Sequence, residues 1–342
     1  MLKRALVVSG GGSKGAFAVG AIKSLTKNAP DTTFDMYIGT STGSLIVPFT
    51  AMGALDQLEK VYTTVTTDKI IQEDDVAARF LGGNSLLNAS PLFKLIESNY
   101  TDAFCNSVFQ SPKMVCLVTT CLQTGETVYF SNQEAPAGLM ASVIKVVTPP
   151  VLRNAIMASA CQPVLMPPIE VEHGKIPLRQ YVDGGVRMYA GIQFAIDAGA
   201  EEVYAILLSP ADNPPIETNY KSVFNILERT IDIFTEDTAI NNVRQPMLYS
   251  AGLRYIADVR AALLTNGVSQ ATIDKSLEID TENPFSNKTA IKIYVIRPDR
   301  PLGGGPGGLN FDPNEMKGML SLGETITSDF LANLPPNGSD MV

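Results

Sequence analysis

No stretch of this sequence approaches the roughly 20 apolar residues that cross a bilayer, because the best candidates are broken by Pro48 or by Lys145, Pro149 and Pro150. Lys3 and Arg4 are followed by only four apolar residues before Ser9 and the glycines begin, too short a run for the core of a signal peptide. Cytoplasmic residence is the resulting expectation. Positive charge is also scarce: 26 Lys and Arg against 35 Asp and Glu give a formal net charge of −9. Nucleic acid and acidic lipid are therefore repelled at long range, and no nucleic-acid partner is expected. The four cysteines, Cys105, Cys116, Cys121 and Cys161, include no CxxC pair, so neither a zinc site nor a disulfide framework is signalled. They read as reduced core residues. A single histidine, His173, sits in a Glu-His-Gly turn between two extended segments. It reads as a surface residue, which leaves a Ser-His-Asp triad without its imidazole.

What the sequence does hold is a repeated strand–turn–helix pattern. Residues 4–9 form a short β-branched run that stops at three glycines and leads into a helix over 15–27. In that helix Ala18, Ala21, Ile22 and Leu25 share one face while Lys23 and Lys27 face water. A second copy follows: a strand over 34–38, a turn over 39–43, and an apolar helix over 44–55 bent by Pro48. Residues 114–121 and 126–131 predict a hairpin, and residues 152–160 a helix of small residues. Asp183 falls at the end of a strand over 181–186, and further strands are expected over 202–209 and 291–297. Helices are predicted at about 191–199 and 219–275, and a last one capped by Asp312 with Pro313 in its first position. Strands alternating with helices imply an α/β fold with a mostly parallel central sheet. One domain over 1–342 is expected, with its core at about 5–210, a helical insertion at 56–113 that is the place to look for a lid, and an extension over 211–342.

Three segments carry chemistry. Gly39-Thr40-Ser41-Thr42-Gly43 matches GxSxG, a sharp strand-to-helix turn that exposes a serine hydroxyl at the positive end of the following helix. The pentapeptide alone is equally an unreactive turn, and its place between strand and helix carries the functional reading. Gly10-Gly11-Gly12-Ser13-Lys14-Gly15 fits two kinds of loop. In one it holds the pyrophosphate of a dinucleotide, with Asp35 at the ribose. Asp35, however, precedes its strand, at the wrong edge of the sheet. A Walker A loop fails as well, because Gly15 stands where Ser or Thr should follow Lys14. In the other reading Gly11 and Gly12 offer N–H donors to an oxyanion forming at Ser41, and Lys14 steadies the loop, meets a lipid phosphate, or is merely solvated. With His173 set aside, the base for Ser41 must be a carboxylate, and Asp183-Gly184-Gly185 is a suitable strand-end segment.

In their order and rough separation, Gly10–Gly15, the GTSTG at 39–43 and the DGG at 183–185 resemble the patatin-like phospholipases. Ala158-Ser159-Ala160, with Pro163 and Pro167-Pro168 after it, looks like that family's segment before its catalytic aspartate, and residues 116–130 look like its central hairpin. Ser9 stands where many relatives have Asp. The resemblance implies a three-layer α/β/α fold and a Ser–Asp dyad, with Ser41 as nucleophile and Asp183 as base. Gly10, Gly11, Gly12 and Gly15 take the glycine-loop positions, with Gly11 and Gly12 as oxyanion donors. It implies hydrolysis of acyl esters of phospholipids, lysophospholipids or neutral lipids, without metal or cofactor, and transient contact with a membrane surface is compatible with it. Acyl transfer on the same dyad, a non-catalytic scaffold and a dinucleotide-binding protein stand as alternatives.

Overall fold

A computed structural model describes residues 3–73, 76, 79, 82–172, 178–215, 217, 219–277, 285 and 289–339. His173 lies outside them. The sheet is mixed, in the order β5-β4-β3-β2-β1-β8-β9, from β1 (Arg4–Val8), β2 (Met36–Thr40), β3 (Met114–Cys121), β4 (Thr127–Ser131), β5 (Ser142–Lys145), β8 (Glu202–Ile206) and β9 (Lys292–Ile296). Two short strands, β6 (Ile169–Val171) and β7 (Arg179–Asp183), form an antiparallel extension on β3. β1 pairs in parallel with both β2 and β8, and β2 in parallel with β3, so the strands that carry the glycine loop and the serine turn are central and buried.

Alternate residues of these strands enter opposite apolar layers, as a period of two requires. On one face Leu6, Val8, Leu117 and Ile206 pack with α1 (Gly15–Asn28), α2 (Thr42–Ala51), α3 (Leu55–Thr64), α4 (Ser90–Asn99), α5 (Asp102–Gln110), α6 (Pro149–Ala160) and α10 (Pro313–Ala332). On the other face Ala5, Val7, Ile38 and Val118 pack with α7 (Ile192–Asp197) and with Val243 and Met247 of α8 (Val223–Thr265). A short α9 (Gln270–Leu277) follows. The expected α/β architecture, a mostly parallel sheet flanked by helices, is therefore present.

Boundaries differ from expectation for local reasons. α2 begins at Thr42, immediately after the serine, and ends at Ala51 because Gly53 turns the chain with φ 71°. Helix α6 starts at Pro149, three residues before the expected position, since prolines in a first helical turn lack only an N–H that has no partner there. Asp312 caps α10 as expected, accepting from the N–H groups of Asn314 and Glu315. Strands β5 and β6, only four and three residues long, are too short to leave a pattern in the sequence.

Candidate active site

The candidate site is built from where strands stop. β2 runs parallel to β3, and its last residue, Thr40, lies opposite Val118. From the other direction β7 runs antiparallel along the same β3 and ends with Asp183 opposite Thr119. Two strand C-termini thus meet head to head. Asp183 takes the seat that Ser41 would hold had β2 continued by one residue. The chain instead turns sharply at Ser41, with φ 54° and ψ −123°, and enters α2. Ser41 and Val164 are the only non-glycine residues with positive φ among those described. A serine held in that region is strained and is kept there by its surroundings.

Those surroundings explain the flanking glycines. A Cβ on Gly43 would stand 2.2 Å from the carbonyl oxygen of Val8, and one on Gly39 would stand 2.3 Å from that of Gly43. Neither position tolerates a side chain. The Ser41 N–H donates to Ser159 Oγ at 3.1 Å, and Ser159 Oγ–H donates to the Val118 carbonyl at 2.6 Å. Ser159 thereby ties the turn to β3. Ser44 closes the first turn of α2 by donating from its hydroxyl to the Ser41 carbonyl at 2.6 Å.

Above the serine lies the glycine loop. Gly10 passes against Ser41, where a Cβ on it would stand only 3.2 Å from the serine Cβ. Gly12 has φ 57° and lies against the backbone of Gly308, where a Cβ would meet a carbonyl oxygen at 2.2 Å. Among the described residues, none accepts from the N–H of Gly11 or Gly12. Gly15 opens α1 against Thr42 and Tyr62, whose hydroxyls share a short hydrogen bond. Ser9 anchors the loop: its Oγ accepts from the Leu208 N–H at 3.0 Å.

Asp183 is 5 % exposed, and its Oδ1 accepts from the N–H of Gly185 at 2.7 Å. Its backbone N–H donates to the Cys161 carbonyl, and Gly184 packs against the Val118 carbonyl. The Ser41 side chain lies close enough to the carboxyl to help lower its pKa. Burial pushes the carboxyl pKa up from 3.8 to about 6, while the neighbouring Ser41 side chain and the Gly185 N–H hold it lower than burial alone would. Asp183 is therefore ionised at neutral pH but basic enough to take a proton. Lys14 is half-buried, and burial lowers its pKa against the opposing pull of Asp232 and Glu236 on α8. Asp35 lies at the far edge of the sheet, where its Oδ2 accepts from the Arg4 N–H at 2.9 Å. It is nowhere near the glycine loop.

Two cavities meet at Ser41. One, narrow at about 70 Å³, is walled by Leu45, Phe49, Leu58, Tyr62, Ile96 and Tyr100, and the only polar side chains among all its lining residues are Ser41, Thr42, Tyr62, Asn99, Tyr100 and Gln162. The other is a broad polar cleft of about 890 Å³ that reaches Gly10, Gly11, Lys14 and Asp183 and is roofed by α8 and by residues 301–307. Helices α3 and α4, which hold much of the segment expected to be the place for a lid, wall the apolar cavity. The sequence does not point to Ser159 or to the α8 side chains as parts of a site. Ser159 stands in an Ala-Ser-Ala motif, and nothing in that motif signals contact with a residue 118 positions away. Among the described residues, no group of three or more His, Cys, Asp or Glu side chains could hold a metal, and no helix is long and apolar enough to cross a membrane.

A family model described as patatin-like phospholipase matches residues 6–196. Two solved structures are similar over 97% of this chain: VipD from Legionella pneumophila, 12% identical with a TM-score of 0.41, and human GIVD cytosolic phospholipase A2, 10% identical with a TM-score of 0.45. The similarity spans 67% of the former chain and 59% of the latter. A comparison with curated protein sequences returns no match.

Proposed function

The chain belongs to the patatin-like phospholipase family, and from that premise we propose that it is a lipid acyl hydrolase in which Ser41 forms an acyl-enzyme and Asp183 is the general base. The observation that carries the reading is the meeting of a serine and a buried, proton-accepting carboxyl where two strand ends converge on β3, with the serine close enough to lower the carboxyl's pKa. Asp183 takes the hydroxyl proton as Ser41 Oγ attacks the ester carbonyl. The resulting oxyanion is received by the N–H groups of Gly11 and Gly12, which have no acceptor among the described residues. Such preorganised donors contribute roughly 3 kcal/mol each to the transition state. Asp183 then returns the proton to the departing alcohol, and a water activated by the same carboxylate releases the acid.

The two cavities suit the two halves of an ester. The acyl chain enters the apolar pocket beside α2, and the alcohol portion occupies the polar cleft. Leu45 lies one turn beyond Ser41 in that pocket. Replacing it with Trp is expected to lower kcat/KM for long-chain esters by about 100-fold, through overpacking costs of about 1–3 kcal/mol, and to spare acetyl esters. An unchanged chain-length profile would place the acyl chain elsewhere. Because the broad cleft admits water, hydrolysis is favoured over transfer to another acceptor. Four free, buried cysteines fit a reducing, cytoplasmic setting, and we read the chain as one catalytic domain.

The reading is tested by turnover of a short-chain nitrophenyl ester across about pH 4–9. The base works only as carboxylate, so kcat/KM should rise about tenfold per pH unit below the pKa of Asp183, bend near 6, and remain flat above it. No turnover at any pH defeats the proposal, and a bend at the ordinary carboxyl value removes Asp183 from the base role.

A further inference from the structure

The polar cleft holds a charge arrangement that ester cleavage does not use. Arg229, Asp232 and Glu236 recur at three- and four-residue spacing, so they form one stripe on α8. All three line the cleft, as does Lys14 from the glycine loop. Arg229 Nη1 lies 3.3 Å from Glu236 Oε1. Burial pushes the Asp232 pKa up, while the nearby charges of Lys14 and Arg229 and the Gly307 backbone pull it down. Two cations and two carboxylates therefore face one another in a space that also contains Ser41 and Asp183.

Helix α8 packs against the turn that follows Asp183. Thr235, between Asp232 and Glu236, has its methyl group 3.9 Å from where a Cβ on Gly185 would stand, and Gly185 holds the Asp183 carboxyl. Seating α8 does not require these charges. Leu227 and Ile231 of the same helix pack on one apolar layer and Ala239, Val243 and Met247 on the other, and Asn242 secures it by accepting from the Tyr189 N–H at 2.7 Å. Half-burying four charges costs desolvation that apolar contacts would avoid. Mixed charge of zero net sign suits neither a neutral nor a purely anionic ligand. It complements a ligand that carries both signs a few ångströms apart.

Resting on the acyl-hydrolase reading above, we propose that Arg229, Asp232 and Glu236, with Lys14, form a recognition site for a zwitterionic headgroup, a phosphodiester bearing an amine. The phosphate exchanges onto Lys14 and Arg229. The ammonium takes their place beside Asp232 and Glu236, which lie about one 5.4 Å turn apart. The substrate class that follows is phosphatidylcholine- or phosphatidylethanolamine-type lipid, including the lyso forms. Phosphatidylglycerol-type lipid supplies the anion alone and leaves both carboxylates opposite a negative ligand.

The test compares kcat/KM for phosphatidylcholine and phosphatidylglycerol with identical acyl chains in mixed micelles. The unaltered protein is expected to prefer the zwitterion by about tenfold or more, and the Asp232→Asn, Glu236→Gln double variant to lose or invert that preference. A double variant that folds, as judged by its thermal unfolding, and keeps the original ratio overturns the proposal, as does an unaltered protein indifferent to headgroup. A second measurement needs no variant: glycerophosphocholine should inhibit nitrophenyl ester hydrolysis more strongly than glycerol phosphate does, and equal or reversed inhibition also overturns it. Turnover of the nitrophenyl ester by the unaltered protein reports on the dyad separately, so failure of the headgroup site and failure of the hydrolase reading are distinguishable.

Discussion

Ser41→Ala is expected to lower ester turnover by about 10⁵- to 10⁶-fold, to the residual rate that binding and oxyanion donors support without a nucleophile. The turn itself should survive. Alanine retains the Cβ, and the bonds that hold the strained backbone come from the Ser41 N–H to Ser159 and from Ser44 to the Ser41 carbonyl, not from the lost hydroxyl. A circular-dichroism melt should therefore match that of the parent while covalent labelling by a fluorophosphonate disappears. Labelling that persists at full stoichiometry in the alanine variant would assign the nucleophile to another residue. The hydroxyl is also one of the groups that hold the Asp183 carboxyl below the value burial alone would set. Its removal should raise that carboxyl further.

Asp183→Asn is expected to cost about 10⁴-fold in kcat while making the protein more stable at neutral pH. The loss follows because the amide cannot accept the serine proton, and loss of the group that takes that proton costs at least this much in hydrolases of other design. The gain follows from linkage. The folded-state pKa is about 6 against an ordinary 3.8, so the folded chain binds this proton more tightly than the unfolded chain does. The associated stability is complete below 3.8, declines as pH rises to about 6, and is flat above. At pH 7.5 the buried ionised carboxyl therefore costs on the order of 3 kcal/mol, at about 1.4 kcal/mol for each pH unit that separates the folded and unfolded values. Asparagine is neutral and can still accept from the Gly185 N–H. Its melting temperature should exceed the parent's by several degrees at pH 7.5, and the excess should shrink below about pH 5. An excess independent of pH would mean that burial of this charge is not its source.

The local signals for the proposed dyad are strong because each motif answers to a backbone constraint. Glycines 39 and 43 flank the serine because neighbouring carbonyls stand where side chains would be, and that requirement is readable one residue at a time. The central strands are readable as well, since a strand buried on both faces becomes a continuous apolar run such as Ala5–Val8. Three features escape. Ser159 acts through tertiary contact, so its role has no local pattern. The stripe of Arg229, Asp232 and Glu236 looks like the solvated face of any long helix until the fold lays it over the cleft. Helices α3 and α4 read as a candidate lid because they interrupt the strand alternation, yet they wall the apolar pocket. Their inward residues are ordinary core residues by composition, and only the empty space beside them separates a pocket lining from a core.

The head-to-head arrangement of β2 and β7 makes β3 the ruler on which the dyad is measured. Insertions between α3 and α4 leave the gap between hydroxyl and carboxyl unaltered, because neither strand end is bonded to that connection, whereas the segment before β6 carries Ser159 and Cys161, which hold the two ends. Tolerance to such change stops abruptly at the ladder. A slip of β7 by a single residue displaces its last carboxylate by about 3.3 Å and turns it to the opposite side of the sheet. Lineages and designers alike are thus free to rebuild the outer walls of this site, provided that Val118, Thr119, Thr120 and Cys121 keep their strand partners and that Ser159 and Cys161 keep their bonds to the two ends.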